Sequence, residues 1–131
     1  MRRVTAVRAA GACLAAGSLL LLAPVTPAPR GCGDLASGRL CIEGPIGGAG
    51  GFTTRYVQYD GRPETRVRLG YQRRDHRLTA FTDWFGTTAT RHGRAQLSGH
   101  LATAPDECIR GILTDATGHT HATPWRCAPT A

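Results

Sequence analysis

After a linker at Pro27 to Gly31, apolar and polar side chains alternate in short runs that Gly, Pro and Asp turn residues interrupt every eight to twelve positions. Alternation with period two puts successive side chains on opposite faces of an extended chain, and no window sustains the 3.6-residue period of a helix. The pattern predicts strands at 39–43, 52–59, 65–72, 78–85, 95–103, 109–116 and 119–125. Gly44-Pro45 followed by Gly47-Gly48 reads as a flexible loop, Asp60-Gly61 as a tight turn, and 73–76 as the link to the next strand. The expected fold is all-β: a small antiparallel β-sandwich of about seven short strands with two local disulfides. In the third strand Val67, Leu69 and Tyr71 share one side while Arg66, Arg68 and Gly70 share the other, so a packed face backs a basic one. The fourth carries Leu78, Ala80 and Trp84 on one side and Phe81 and Phe85 on the other, which predicts a central strand covered on both faces.

The first 28 residues break this pattern. Arg2, Arg3 and Arg8 form a basic start, 9–23 are almost wholly apolar, and Thr26-Pro27-Ala28 offers small residues for cleavage. These are the three parts of an export signal. An apolar run of about 15 residues is short of the roughly 20 a membrane-crossing helix needs. The expectation is therefore a cleavable signal peptide at 1–28 and one secreted domain at 29–131, without stable membrane association after cleavage. The chain's 131 residues leave room for a single domain. All 16 basic residues are Arg, which excludes any mechanism that needs a lysine Schiff base or lysine general base. Three of them leave with the signal and all nine carboxylates stay, so the mature domain carries 13 Arg against 9 acids, a net charge of +4. That is weaker than the footprint of a dedicated nucleic-acid binder.

Cys13 sits in the apolar signal segment, leaving Cys32, Cys41, Cys108 and Cys127. Four cysteines in so small an exported domain read as two disulfides, and three pairings are formally open. The pairing Cys32 with Cys41 and Cys108 with Cys127 brackets two local turns. If Thr117-Gly118 is a two-residue hairpin turn, Cys108 faces Cys127, Pro124 faces Gly111 and Trp125 faces Arg110, the last as a cation–π pair. The competing zinc site wants pairs two to four residues apart, whereas eight and eighteen residues lie between these partners.

The run Cys108 to Leu113, then Gly118, then Thr123-Pro124-Trp125-Arg126-Cys127, with Cys32 and Leu40-Cys41 upstream, resembles small secreted disulfide-containing β proteins of actinomycetes, a family of unassigned function. The resemblance implies a β-sandwich-like scaffold and this cysteine pattern, and it implies no activity, substrate or catalytic residue.

Four groups of residues carry candidate chemistry. Arg62, Arg66, Arg68, Arg73, Arg74 and Arg77, offset in that stretch only by Glu64 and Asp75, form a basic surface for an anionic partner, or simply a solvated strand face. Tyr56, Tyr59, Tyr71, Trp84 and Trp125 suit either stacking on sugar rings or core packing. Arg66, Arg68, Arg73, Arg74, Tyr56 and Tyr59 are the candidate binding residues. His119 and His121 share one side of a strand, a weak metal signal beside a turn, and no metal or other cofactor is expected. Glu43, Glu64, Glu107 and five His supply acids and bases, yet no spacing selects any of them, so no catalytic residue is assigned. The expectation is a monomeric, non-enzymatic, secreted binding domain whose target is an extracellular or cell-wall polysaccharide or another anionic polymer. The alternative is a secreted inhibitor or toxin-like effector of a protein target, with 44–51 as its contact loop.

Overall fold

The computed structural model describes residues 30–128. The expected export signal, Cys13 included, lies outside the described residues. Among these residues there are nine strands: β1 Arg30–Asp34, β2 Gly38–Glu43, β3 Ala49–Gln58, β4 Arg66–Arg74, β5 Asp83–Ala89, β6 Arg94–Ala102, β7 Cys108–Thr114, β8 Thr120–Ala122 and β9 Arg126–Cys127. They build two antiparallel sheets, one in the order β1-β2-β3-β6 and the other β5-β4-β7-β8, with β9 continuing along the same edge of β7 as β8. The fold is the expected all-β sandwich.

Period two explains the core. Leu40 and Ile42 of β2, Phe52, Thr54 and Tyr56 of β3, Val67, Leu69 and Tyr71 of β4, and Ile109 and Leu113 of β7 are buried, while their sequence neighbours Arg39, Cys41, Arg66 and Arg68 are not. The apolar side chains form two lobes, one around Leu40, Tyr56, Leu69 and Leu113 and one around Ile42, Phe52, Tyr71 and Ile109. The buried hydroxyl of Thr54 donates to the carbonyl of Gly70 at 2.9 Å, so one polar group bridges the two sheets without an orphaned donor.

Both disulfides join direct cross-strand partners, Cys32–Cys41 between β1 and β2 and Cys108–Cys127 between β7 and β9, each with Cα atoms 4.0 Å apart. Each staples one end of the described chain onto its sheet.

Three elements differ from the sequence-based expectation. β1 was expected to be linker as far as Gly31; its alternation is invisible because Gly31 and Gly33 take the positions where apolar side chains would mark a face. The strand expected at 78–85 begins five residues later. Asp75 accepts the backbone N–H of Arg77 and of Leu78 at 2.7 and 2.8 Å, and its own N–H donates to the Leu78 carbonyl, so the chain turns tightly before pairing with β4 resumes at Asp83 opposite Tyr71. β5 is consequently an edge strand, not a central one, and Leu78 and Phe81 stand in solvent.

The third difference lies in the last hairpin. Its loop has three residues, Ala116-Thr117-Gly118, closed by the Asp115 N–H on the His119 carbonyl and the Gly118 N–H on the Asp115 carbonyl, with Gly118 at φ 88° as this turn type requires. The resulting register pairs Thr114 with Thr120, Leu113 with His121 and Ile112 with Ala122, and it sets Thr123, not Pro124, opposite Gly111. Pro124 and Trp125 then together fill the place opposite Arg110, a bulge that returns the chain to Ile109–Arg126 and Cys108–Cys127 pairing.

Candidate binding surface

The outward positions of the second sheet are set by register. They are Arg66, Arg68, Gly70, Gln72 and Arg74 on β4, Trp84, Thr87 and Ala89 on β5, Cys108, Arg110, Ile112 and Thr114 on β7, and Thr120 and Ala122 on β8, of which Ile112 is itself covered at 2% exposure. No carboxylate occurs among them. Trp84 crosses β4 at Gly70, where a Cβ would stand 2.9 Å from the Trp84 Cα and 3.0 Å from its ring, so the missing side chain is what lets the indole approach. The Arg68 guanidinium stacks over Trp84 at 4.3 Å from the ring centroid. Trp125, carried out by the bulge, takes two guanidinium groups, Arg74 at 4.4 Å and Arg110 at 4.3 Å. Arg110 is further fixed by donating from Nε and Nη2 to Gln72 Oε1 at 2.8 and 2.6 Å. The face thus alternates guanidinium and indole groups along the strands.

Among the described residues, the arginines in ion pairs are Arg55 and Arg73, and Arg66, Arg68, Arg74 and Arg110 are in none. A guanidinium over an indole is held by the ring's π face, and Arg110 in addition spends its Nε and Nη2 donors on Gln72. The outer face of the first sheet is different. There Arg55 meets Glu43 at 3.3 Å and Gln96 Oε1 at 3.1 Å, and the Thr53 and Ser98 hydroxyls bond each other at 2.7 Å, so a carboxylate offsets part of the charge, although Arg39 and Arg94 on either side of Val57 are in no ion pair among the described residues.

Of the candidate binding residues, Arg66, Arg68 and Arg74 come together on this face, and Arg110, Trp84 and Trp125 join them. Arg73 does not: it has the opposite parity, donates to the Ala102 carbonyl at 3.1 Å and pairs with Glu107 at 3.8 Å. Tyr56 belongs to the core at 3% exposure, its hydroxyl 2.6 Å from Ser37 Oγ. Tyr59 is exposed, near the β3 end, with its hydroxyl donating to Asp34 at 3.4 Å. Tyr71 packs against Phe85, ring centroids 5.1 Å apart, and burial is the main cause that raises its pKa. The signal that unites Arg110 with Arg66 and Arg68 is strand register, which no window of sequence displays.

His119 and His121 both turn to the hairpin's own Asp115. His121 Nε2 is 3.1 Å from Asp115 Oδ2, and His119 Nδ1 meets the Thr117 hydroxyl at 3.0 Å. That carboxylate also accepts from the Thr117 hydroxyl, the largest cause holding its pKa well below the usual range, and from the N–H groups of Thr117 and His119. Glu43 is engaged by Arg55, and Glu107 by Arg73 and the Ala104 N–H. The segment 44–51 is not the free loop its glycines suggest: Ile46 is buried, Gly47 N–H donates to Thr103 Oγ1 at 2.7 Å, and Thr103 N–H donates to the Gly48 carbonyl at 2.9 Å. A cavity of about 210 Å³ is lined by Tyr56, Val67, Leu113, Arg62 and Asp115, and another of about 320 Å³ by Tyr59, Arg62, His92 and Arg94, at or below the small end of small-molecule pockets.

Comparison with protein-family models, with curated proteins and with solved structures finds no match. The two disulfides indicate an oxidising environment, and among the described residues no helix is long and apolar enough to cross a membrane.

Proposed function

We propose that this chain is a secreted, non-enzymatic binding domain whose target is an acidic polysaccharide outside the cell, held on the outer face of the β5-β4-β7-β8 sheet. The observation that carries the reading is a face with four arginines and two tryptophans, no carboxylate and no ion pair. Such a face has an unneutralised positive potential, which suits carboxylate, sulfate or phosphate groups repeated along a chain. A neutral glycan is the poorer target, because guanidinium groups already cover the indoles a sugar ring would need. The scaffold reading, kinship with the small secreted actinomycete proteins, rests on the cysteine and turn positions.

The test is depletion of the oxidised protein from solution by insoluble polygalacturonate and by cellulose across a salt series. Retention on the polyanion alone, fading as salt screens it and lost in an Arg68→Ala/Arg74→Ala double variant, is the expected result. Salt-resistant retention on cellulose, or none on any polyanion, overturns the proposal.

A further inference from the structure

Two turns stand side by side at the end of β3. The Gln58 N–H donates to the Gly93 carbonyl at 2.7 Å, which ties the strand end to the β5–β6 turn. Gln58 Nε2 donates to the Pro63 carbonyl at 3.0 Å and Arg62 Nη2 to the Ala36 carbonyl at 3.1 Å, so the loop after β3 is closed on itself and pinned to the β1–β2 turn. Arg91 and Arg94 exchange backbone hydrogen bonds at 2.8 and 3.0 Å around His92 and Gly93, at φ 52° and 73°. That is the two-residue turn of a twisted hairpin, where glycine or asparagine is the usual occupant. Among the described residues His92 is the one with a side chain that is held at positive φ, so an unfavourable backbone position carries an imidazole.

The turns enclose the cavity of about 320 Å³, lined by Tyr59, Asp60, Arg62, His92 and Arg94. Arg62 and Arg94 are in no ion pair among the described residues, and neither is Asp60. The lining thus sets two guanidinium groups and an imidazole against one carboxylate. The other acid at this end, Asp34, accepts from the Tyr59 hydroxyl at 3.4 Å. Tyr59 is 47% exposed, and its ring offers an apolar surface among these polar groups.

The set selects one ligand chemistry. An apolar molecule finds too little apolar wall, a simple cation meets two arginines, and an inorganic anion leaves the Tyr59 ring unused and meets Asp60. A sugar acid uses every member: guanidinium groups for the carboxylate, Asp60 and His92 for ring hydroxyls, and the Tyr59 ring for the C–H face of the pyranose. The volume, at the small end of ligand pockets, suits one unit and not a chain. We propose that this cavity binds a single hexuronate, free or at the end of a polymer, with Arg62 and Arg94 on its carboxylate and Tyr59 against its ring. The site shares no residue with the Arg–Trp face of the other sheet, so either can bind without the other.

The test is calorimetric titration of the oxidised protein with galacturonate, galactose and cyclohexanecarboxylate, which carry in turn both functions, the hydroxyls alone and the charge alone. Saturable binding of galacturonate is expected, with each of the other two weaker by about tenfold or more. Trigalacturonate that binds no more weakly than the monomer assigns the site to chain ends, and trigalacturonate that binds far more weakly assigns it to the free sugar. Arg94→Gln should weaken galacturonate by roughly tenfold and Tyr59→Ala by roughly fivefold, whereas Tyr59→Phe, which keeps the ring, should bind as wild type. Both side chains are exposed, so the melting temperature of these variants should stay at the wild-type value. The Arg68→Ala/Arg74→Ala variant should bind galacturonate normally although its retention on polygalacturonate is lost. Galacturonate binding that disappears in that variant belongs to the other face and overturns the proposal. So does no binding of galacturonate at all, equal binding of galactose, or an affinity that neither Arg94→Gln nor Tyr59→Ala changes.

Discussion

Thr123 and Gly111 hold each other by two hydrogen bonds at the one place where the last hairpin changes register. The Thr123 N–H donates to the Gly111 carbonyl at 2.9 Å, and the Gly111 N–H donates to Thr123 Oγ1 at 2.9 Å. The hydroxyl in turn donates to the Pro124 carbonyl at 3.0 Å. The Thr123 hydroxyl takes the Gly111 N–H in place of a ladder carbonyl, and the chain can bulge outward at Pro124-Trp125, where Pro124 has no N–H to leave unpaired, before the Cys108–Cys127 pair.

Thr123→Val should therefore destabilise by about 1–3 kcal/mol, the cost of leaving a buried N–H unpaired, while Thr123→Ser should lose much less. Urea unfolding measures both. A Thr123→Val variant as stable as wild type, with Thr123→Ser the weaker of the two, would mean that the methyl packing, not the hydroxyl, matters at this site.

The disulfides staple the first and last strands of the described chain, and the chain-entropy account gives about 3 kcal/mol for each loop of this size. Reduction of both should lower the melting temperature by roughly 20 °C or more for a domain of about a hundred residues. Equal melting of oxidised and reduced protein would refute the staple account.

Gly70 seats Trp84. A Cβ at that position would collide with the Asp83 carbonyl oxygen as well as approach the indole, and both obstacles are on the neighbouring strand, where backbone cannot yield easily. Gly70→Ala is expected to cost about 1–3 kcal/mol as overpacking and to weaken polyanion retention with it, because Arg68 loses its platform. Retention at wild-type strength in a folded Gly70→Ala variant would show that the platform is dispensable.

Much of this fold is legible in the sequence because the β2, β3, β4 and β7 segments alternate cleanly, as in Val67-Arg68-Leu69, and burial follows the alternation. The cysteine pairing is legible as well, although the three-residue turn and the bulge at Pro124 each shift the register by one and cancel by Cys127. The failures have physical causes. Local hydrogen bonding by the Asp75 carboxylate overrides the apolar run Leu78 to Phe85, and Gly31 and Gly33 hide a strand that a disulfide holds. The site was half legible: Arg66 and Arg68 follow from period two, but Arg73 and Arg74 divide between the two faces. Arg110 joins the site only through its long-range pairing with Gln72.

Asp115 gives the protein an acid-sensitive hairpin. Hydrogen bonds, first from the Thr117 hydroxyl and then from His121 and the turn's N–H groups, hold its folded pKa below the ordinary 3.8. A depressed carboxylate pKa stabilises the fold fully above the unfolded value and loses that contribution as pH falls toward the folded one. Asp115→Asn should thus melt below wild type at neutral pH, and the gap should narrow below about pH 4. A gap that stays constant with pH would show that the charge on Asp115 contributes nothing.

Stacking on indole requires a planar cation, and lysine keeps the charge without the plane. Replacing Arg68, Arg74 and Arg110 together by Lys leaves the net charge of the face unchanged, so a purely electrostatic surface would retain polygalacturonate as before. The geometry predicts otherwise. Free of Trp84 and Trp125, three ammonium groups would sample many rotamers and uncover both indoles. Binding to the polyanion should weaken by roughly fivefold or more with its salt dependence retained, since a cation–π contact is worth about 0.5–1 kcal/mol at exposed sites and several act together. Retention on cellulose should rise from nothing to measurable as the rings become available to sugars. Unchanged polyanion binding in the triple variant would reduce the ladder of Arg and Trp to a structural ornament on a simply positive face.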